Sequence, residues 1–114
     1  MGITRHGIGS FASEAVVRGD TVYLVEVARS GATGVRDQTK EILDKIDGIL
    51  ARVGSDKSKL LTAQIFLADI STWAEMNEVW EAWIDPANPP VRATVEAKLA
   101  RPEFLVEIVA TAAI

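Results

Sequence analysis

Few side chains in this chain of 114 residues are placed to do chemistry, and three of them lie inside strand-like runs. Arg92 follows Pro89-Pro90-Val91 and opens a run that alternates apolar and polar residues. A guanidinium on the polar side of a strand presents five donors in a fixed fork, a geometry suited to bidentate grip on a carboxylate. The plainer reading is a solvated strand arginine or an interface ion pair. Glu107 stands alone in Leu105-Val106-Glu107-Ile108-Val109. A carboxylate there needs a partner or its pKa rises on burial, and such a group can orient or deprotonate water. It can equally be a structural carboxylate paired across strands. Glu26, in Leu24-Val25-Glu26-Val27-Ala28, poses the same choice between a site residue and a paired or edge residue. The single histidine, His6, has no second histidine at ligand spacing and reads as a surface residue, so no metal is expected. No Gly-x-Gly-x-x-Gly, phosphate-loop or Gly-x-Ser-x-Gly pattern occurs, which leaves nucleotide and serine-hydrolase readings without support.

These residues must be held by elements that the pattern orders as β-β-β-α-β-α-β-β. A short strand is expected over Ile3 to Gly7. Glu14 to Arg18 and Thr21 to Ala28 form a hairpin around Gly19-Asp20, an accepted two-residue turn pair. Val35 to Val53 carries Val35, Ile42, Leu43, Ile46, Ile49, Leu50 and Val53 near a 3.6-residue period, with Gly54 as a stop. Leu60 to Asp69 is an apolar strand, with Leu61, Ile65 and Leu67 on one side and Phe66 and Ala68 on the other. Thr72-Trp73-Ala74-Glu75 matches a capping box, so a second helix begins there. Trp73, Met76, Trp80 and Trp83 share one face of it and read as core. Pro86, Pro89 and Pro90 end it. Val91 to Leu99 alternates with Arg92, Thr94, Glu96 and Lys98 on one side, and Phe104 to Ala113 closes the chain as an apolar strand.

The expected fold is therefore α+β, a sheet with two helices. Two helices cover only one face of such a sheet. The last strand is nevertheless apolar on both faces, and a bare apolar face is rare in monomers. A homo-oligomer built on the uncovered face is expected, with binding pockets between subunits.

Composition bounds the rest. The length fits one domain, residues 1–114, and 48% hydrophobic with 25% charged residues is ordinary for a globular chain. Twelve basic against sixteen acidic residues leave a net charge of −4, which argues against a nucleic-acid partner. There is no cysteine, hence no disulfide and no thiol nucleophile. Met1 to Gly9 hold no apolar signal-like core, and no run reaches the ~18 apolar residues of a membrane span. A cytoplasmic protein with no membrane partner is the expectation.

The residues also carry a collinear resemblance. Ser13-Glu14-Ala15-Val16-Val17, Thr21-Val22-Tyr23-Leu24, Gln38-Thr39, Asp56-Lys57-Ser58, Ala63-Gln64-Ile65-Phe66-Leu67-Ala68-Asp69, Met76-Asn77, Trp80-Glu81-Ala82-Trp83, Pro90-Val91-Arg92-Ala93-Thr94-Val95 and Val106-Glu107-Ile108 occur in order along the chain. On these, the chain resembles the YjgF/RidA family over essentially its whole length, and looks most like the short, YoaB-like branch. The resemblance implies a homotrimer of chorismate-mutase-like subunits, two helices on one face of each sheet, and three sites between subunits. It implies an enamine/imine deaminase that hydrolyses reactive 2-amino/imino acid intermediates to 2-keto acids and ammonia without cofactor or metal. Arg92 matches the residue that holds the substrate carboxylate. Glu107 matches the one that helps position water. Ala93 and Thr94 match the backbone that contacts imine and water.

Two positions depart from the family pattern. Ala12 stands where many active members carry an aromatic. Val25-Glu26-Val27 stands where many carry Ser-Gly-Gln, and Glu26 falls on the glycine or, with a one-residue shift, on the glutamine. Either way a carboxylate enters the site region, where it could pair with Arg92 and compete with substrate. The alternative is then a non-catalytic trimer that binds a small carboxylate metabolite without turnover.

Overall fold

The computed structural model describes residues Met1–Ile114. Six strands, β1 (Ile3–Ile8), β2 (Ser13–Arg18), β3 (Thr21–Val27), β4 (Leu60–Leu67), β5 (Val91–Glu96) and β6 (Val106–Ala113), form one sheet in the order β1-β2-β3-β6-β4-β5. The helices are α1 (Val35–Arg52) and α2 (Trp73–Trp83), in the expected α+β order. All strand pairs are antiparallel except β4–β5, which the α2 crossover makes parallel. The β2–β3 hairpin turns at Gly19-Asp20 as its sequence predicts. Gly19 takes φ +62°, a conformation glycine adopts without a Cβ clash.

Alternation decides which face is buried. Val22 and Leu24 of β3, Ile65 and Leu67 of β4, and Val106, Ile108, Ala110 and Ala112 of β6 are all buried on one side. The stripe Ile42, Leu43, Ile46, Ile49 and Leu50 of α1 packs into the same core, together with Met76 and Trp80 of α2. Each such aliphatic side chain contributes roughly 1.5–3 kcal/mol of transfer free energy. The opposite face has no helix. Tyr23, Val109 and Val95 lie on it, 50%, 39% and 44% exposed, and β5 is an edge strand.

Four local expectations change. Leu61 does not face with Ile65 and Leu67: a register break between Leu60 and Thr62 shifts the pleat, and Leu61 is exposed. β5 ends at Glu96 rather than Leu99, and β6 begins at Val106 rather than Phe104. The capping box at Thr72 is not formed. Asp69 caps a short 3₁₀ turn (Ile70–Thr72) by accepting from Ser71 N at 2.9 Å, and the Thr72 hydroxyl donates back to Asp69 O at 2.6 Å, so α2 continues directly from that turn. Trp73 is 42% exposed and does not join the core formed by its stripe-mates.

Candidate functional site

Arg92 lies in register with Ala63 of β4, so its side chain leaves the edge strand on the helix-covered side. There α2 receives it. Trp73, Asn77 and Trp80 recur at i, i+4 and i+7, one stripe of the helix. Arg92 Nη1 donates to Asn77 Oδ1 at 2.7 Å, and the guanidinium carbon sits 5.8 Å and 5.2 Å from the ring centroids of Trp73 and Trp80. Asn77 in turn donates Nδ2 to Glu81 Oε1 at 3.0 Å, which fixes the amide orientation from both ends. Partial burial pulls the guanidinium below its usual pKa and Glu81 pulls it back. It stays a cation, since arginine does not deprotonate in proteins. One donor is engaged within the chain; the rest of the fork has no protein acceptor. The result is a cation held on aromatic faces, oriented by an amide, with donors to spare.

Ala93 and Thr94 follow on the same edge strand. Ala93 is exposed on the bare face, and its carbonyl accepts from Gln64 Nε2 at 3.4 Å. Thr94 is half-buried on the helix side, in register with Ile65. Glu107 pairs in register with Phe66 and Val27 and is half-buried on the uncovered face. It joins none of the six ion pairs of the chain. Arg92 and Glu107 therefore project from opposite faces, two strands apart, and one chain alone does not bring them together. Ala12 is exposed in the β1–β2 turn, where its carbonyl accepts from Gly9 N at 2.8 Å.

Glu26 is a correction. It does not pair with Arg92 within the chain: β3 and β5 are separated by β6 and β4, three strand steps or about 14 Å. Its side chain follows Val22 and Leu24 onto the helix-covered face, where it is 6% exposed under α1. Lys45 Nζ approaches to 3.7 Å, while also lying 3.4 Å from Glu41 and donating to Val27 O at 3.0 Å. A neighbouring acid is Glu14, which itself lies 3.5 Å from Arg52. Burial first, then Glu14, pushes the Glu26 carboxyl up to about 8, while the same contact and Arg52 hold Glu14 below its usual value. Burial therefore favours the protonated form of Glu26 near neutrality. Glu26 Oε1 is buried without a hydrogen-bond partner.

Asn77, Trp73, Trp80 and Glu81 were not singled out as site residues by sequence reasoning. The signal was present: an amide placed between two indoles on one helical stripe is an odd choice for pure core.

The comparisons show which proteins the chain is similar to. A family model described as endoribonuclease L-PSP matches residues 6–114. A RutC family protein of Haemophilus influenzae is 59% identical over 73 residues, 64% of this chain and 63% of that relative's length. The RutC family protein YoaB of Escherichia coli K12 is 40% identical over 102 residues, 90% of each chain. Among solved structures, a YjgF-family protein from Neisseria meningitidis superposes with TM-score 0.95 at 42% identity, covering 99% of this chain and 95% of its own.

Proposed function

The chain belongs to the YjgF/RidA family, with YoaB among its relatives, and from that premise we propose that it hydrolyses small 2-imino acids to 2-keto acids and ammonia. Family membership supports a role with small metabolites. The observation that carries the finer reading is the Arg92 clamp: a half-buried cation, oriented by Asn77 and backed by Trp73 and Trp80, with free donors. Such a fork binds a carboxylate through two parallel hydrogen bonds. The imine carbon next to that carboxylate is then fixed in position. Glu107 orients a water, and the water oxygen adds to the imine carbon. The resulting carbinolamine loses ammonia as its C–N bond breaks, leaving the keto group. In sum, one imine and one water give one keto acid and one ammonia. Ala93 and Thr94 contribute backbone beside the reacting carbon.

Because Arg92 and Glu107 leave opposite faces of one sheet, the reading requires two chains at each site: Arg92 from one, Glu107 from its neighbour. The uncovered apolar face and unpaired β5 edge favour such an assembly, and a homotrimer closes it with three equivalent sites. The ribonuclease activity in the family model's description is not carried over. A chain of net charge −4 lacks the cationic footprint that RNA binding uses.

The test is hydrolysis of an imino acid generated in situ by a pyridoxal-phosphate lyase. The wild-type chain accelerates keto-acid appearance above the spontaneous rate, and Arg92→Ala does not. A wild-type rate equal to the spontaneous one overturns the reading. A second reading, carboxylate binding without turnover, draws on Val25 and Ala12, which offer no polar or aromatic side chain to the cleft. Saturable binding of 2-ketobutyrate without hydrolysis decides for it.

A further inference from the structure

At the end of the molecule where β3 runs into α1 and the chain enters β6, the loops 28–33 and 101–105 enclose a recess of about 570 Å³. Its scaffold is Gln38, only 1% exposed. The Gln38 amide donates to Ala32 O and Glu103 O, both at 2.8 Å, and accepts from Leu105 N at 2.9 Å, so one buried side chain locks both loops in place. Phe104, 6% exposed, forms part of the lining, and two guanidiniums from different loops lie over its ring: Arg29 at 5.6 Å and Arg101 at 5.9 Å from the centroid. Neither arginine belongs to any ion pair of the chain. The nearby Glu41 carboxylate is already taken by Arg29 N, Ser30 and Lys45. The backbone N–H groups of Gly31 and Thr33, also in the lining, donate to no protein acceptor. In an acidic chain this is a concentration of unengaged donors, opposed only by the Glu103 carboxylate.

We propose that this recess is a second ligand site, for a small organic dicarboxylate. Both guanidiniums are centred on one aromatic ring, so their separation cannot exceed the sum of their distances to its centroid. Within that bound, a four- or five-carbon diacid sets one carboxylate on each fork and its methylenes against Phe104. A monocarboxylate engages one fork only. Phosphate has no apolar spacer to set against the ring. Within the chain Arg92 lies on the edge strand β5, whereas this recess lies at the ends of the central strands β3 and β6.

Titration calorimetry of the full chain with succinate, propionate and inorganic phosphate tests this. Succinate binds saturably and more tightly than the other two. Arg29→Ala/Arg101→Ala, both exposed side chains whose loss leaves the fold intact, weakens succinate by about tenfold or more. Glu103→Gln tightens it. The proposal is overturned by the absence of saturable succinate binding, by phosphate or propionate binding as tightly, or by indifference to the double substitution.

Discussion

Arg92 and Asn77 meet at 2.7 Å between the edge strand and the middle of α2, and Asn77 is anchored in turn by Glu81. This contact fixes the direction of the guanidinium fork. With Trp73 and Trp80 beside it, the side chain has lost most of its rotamer freedom before any ligand arrives. Preorganisation of this kind lowers the entropic cost of binding a small anion.

Arg92→Ala should lower kcat/KM for imino-acid hydrolysis by about 10²-fold or more, the scale expected when a bidentate charge-assisted contact is removed. Arg92→Lys should recover only part of it, because an ammonium is a point charge without the fork. Steady-state kinetics on both variants checks this. Equal loss in both would still fit a guanidinium requirement; no loss in either would not.

Asn77→Ala should act through Arg92 rather than on the substrate. The expected result is a KM raised by roughly tenfold with a smaller change in kcat, and thermal stability nearly unchanged, since Asn77 lies outside the apolar core. Asn77→Asp should be worse for binding than Asn77→Ala. The new carboxylate pairs with Arg92 and competes with substrate.

The Glu14–Glu26 pair should give stability an unusual pH profile. Unfolded, both carboxyls titrate near 4.5; folded, Glu14 ionises below that and Glu26 at about 8. Between 4.5 and 8 the folded chain holds a proton that the unfolded chain has released, so this pair's contribution falls as pH rises and is lost by about pH 8. Below 4.5 the unfolded chain binds the extra proton, so the contribution also falls on acidification. Its maximum lies near pH 4.5, and the upper limb is worth on the order of a few kcal/mol. Urea midpoints across pH check this, with Glu26→Gln expected to flatten the upper limb. Glu26→Gly should not improve carboxylate binding, because Glu26 lies under α1 and away from Arg92.

Val95→Lys and Val109→Lys place charges on the uncovered face and should shift the assembly toward single chains, as read by light scattering. Hydrolysis should fall with the assembly, while the far-ultraviolet circular dichroism of the subunit stays the same.

Much of this architecture could be read from the residues because period decides face. The stripe of α1 and the alternation of β5 and β6 follow directly from burying one side of each element. That same rule, applied to Val22, Leu24 and Glu26, already puts Glu26 with the core. The type of Glu26, a carboxylate, points toward a cationic partner, but its parity sets its face. Leu61 could not be placed, because a register break leaves no mark in a run of apolar residues. The tryptophans of α2 looked like core because their stripe is apolar. Their use as a platform for Arg92 depends on a strand that returns beside them after the proline-rich connector. Glu107 was found by its isolation among apolar residues, yet its face relative to Arg92 depends on the order of strands, which no local pattern encodes.

The central claim is that each site joins Arg92 of one chain to Glu107 of another. Co-expressing Arg92→Ala with Glu107→Gln, each inactive alone, tests it directly. In randomly mixed closed rings about a quarter of the sites regain both native residues, so about a quarter of wild-type activity should return. Co-purified mixed assemblies that stay as inactive as either variant alone would contradict the account.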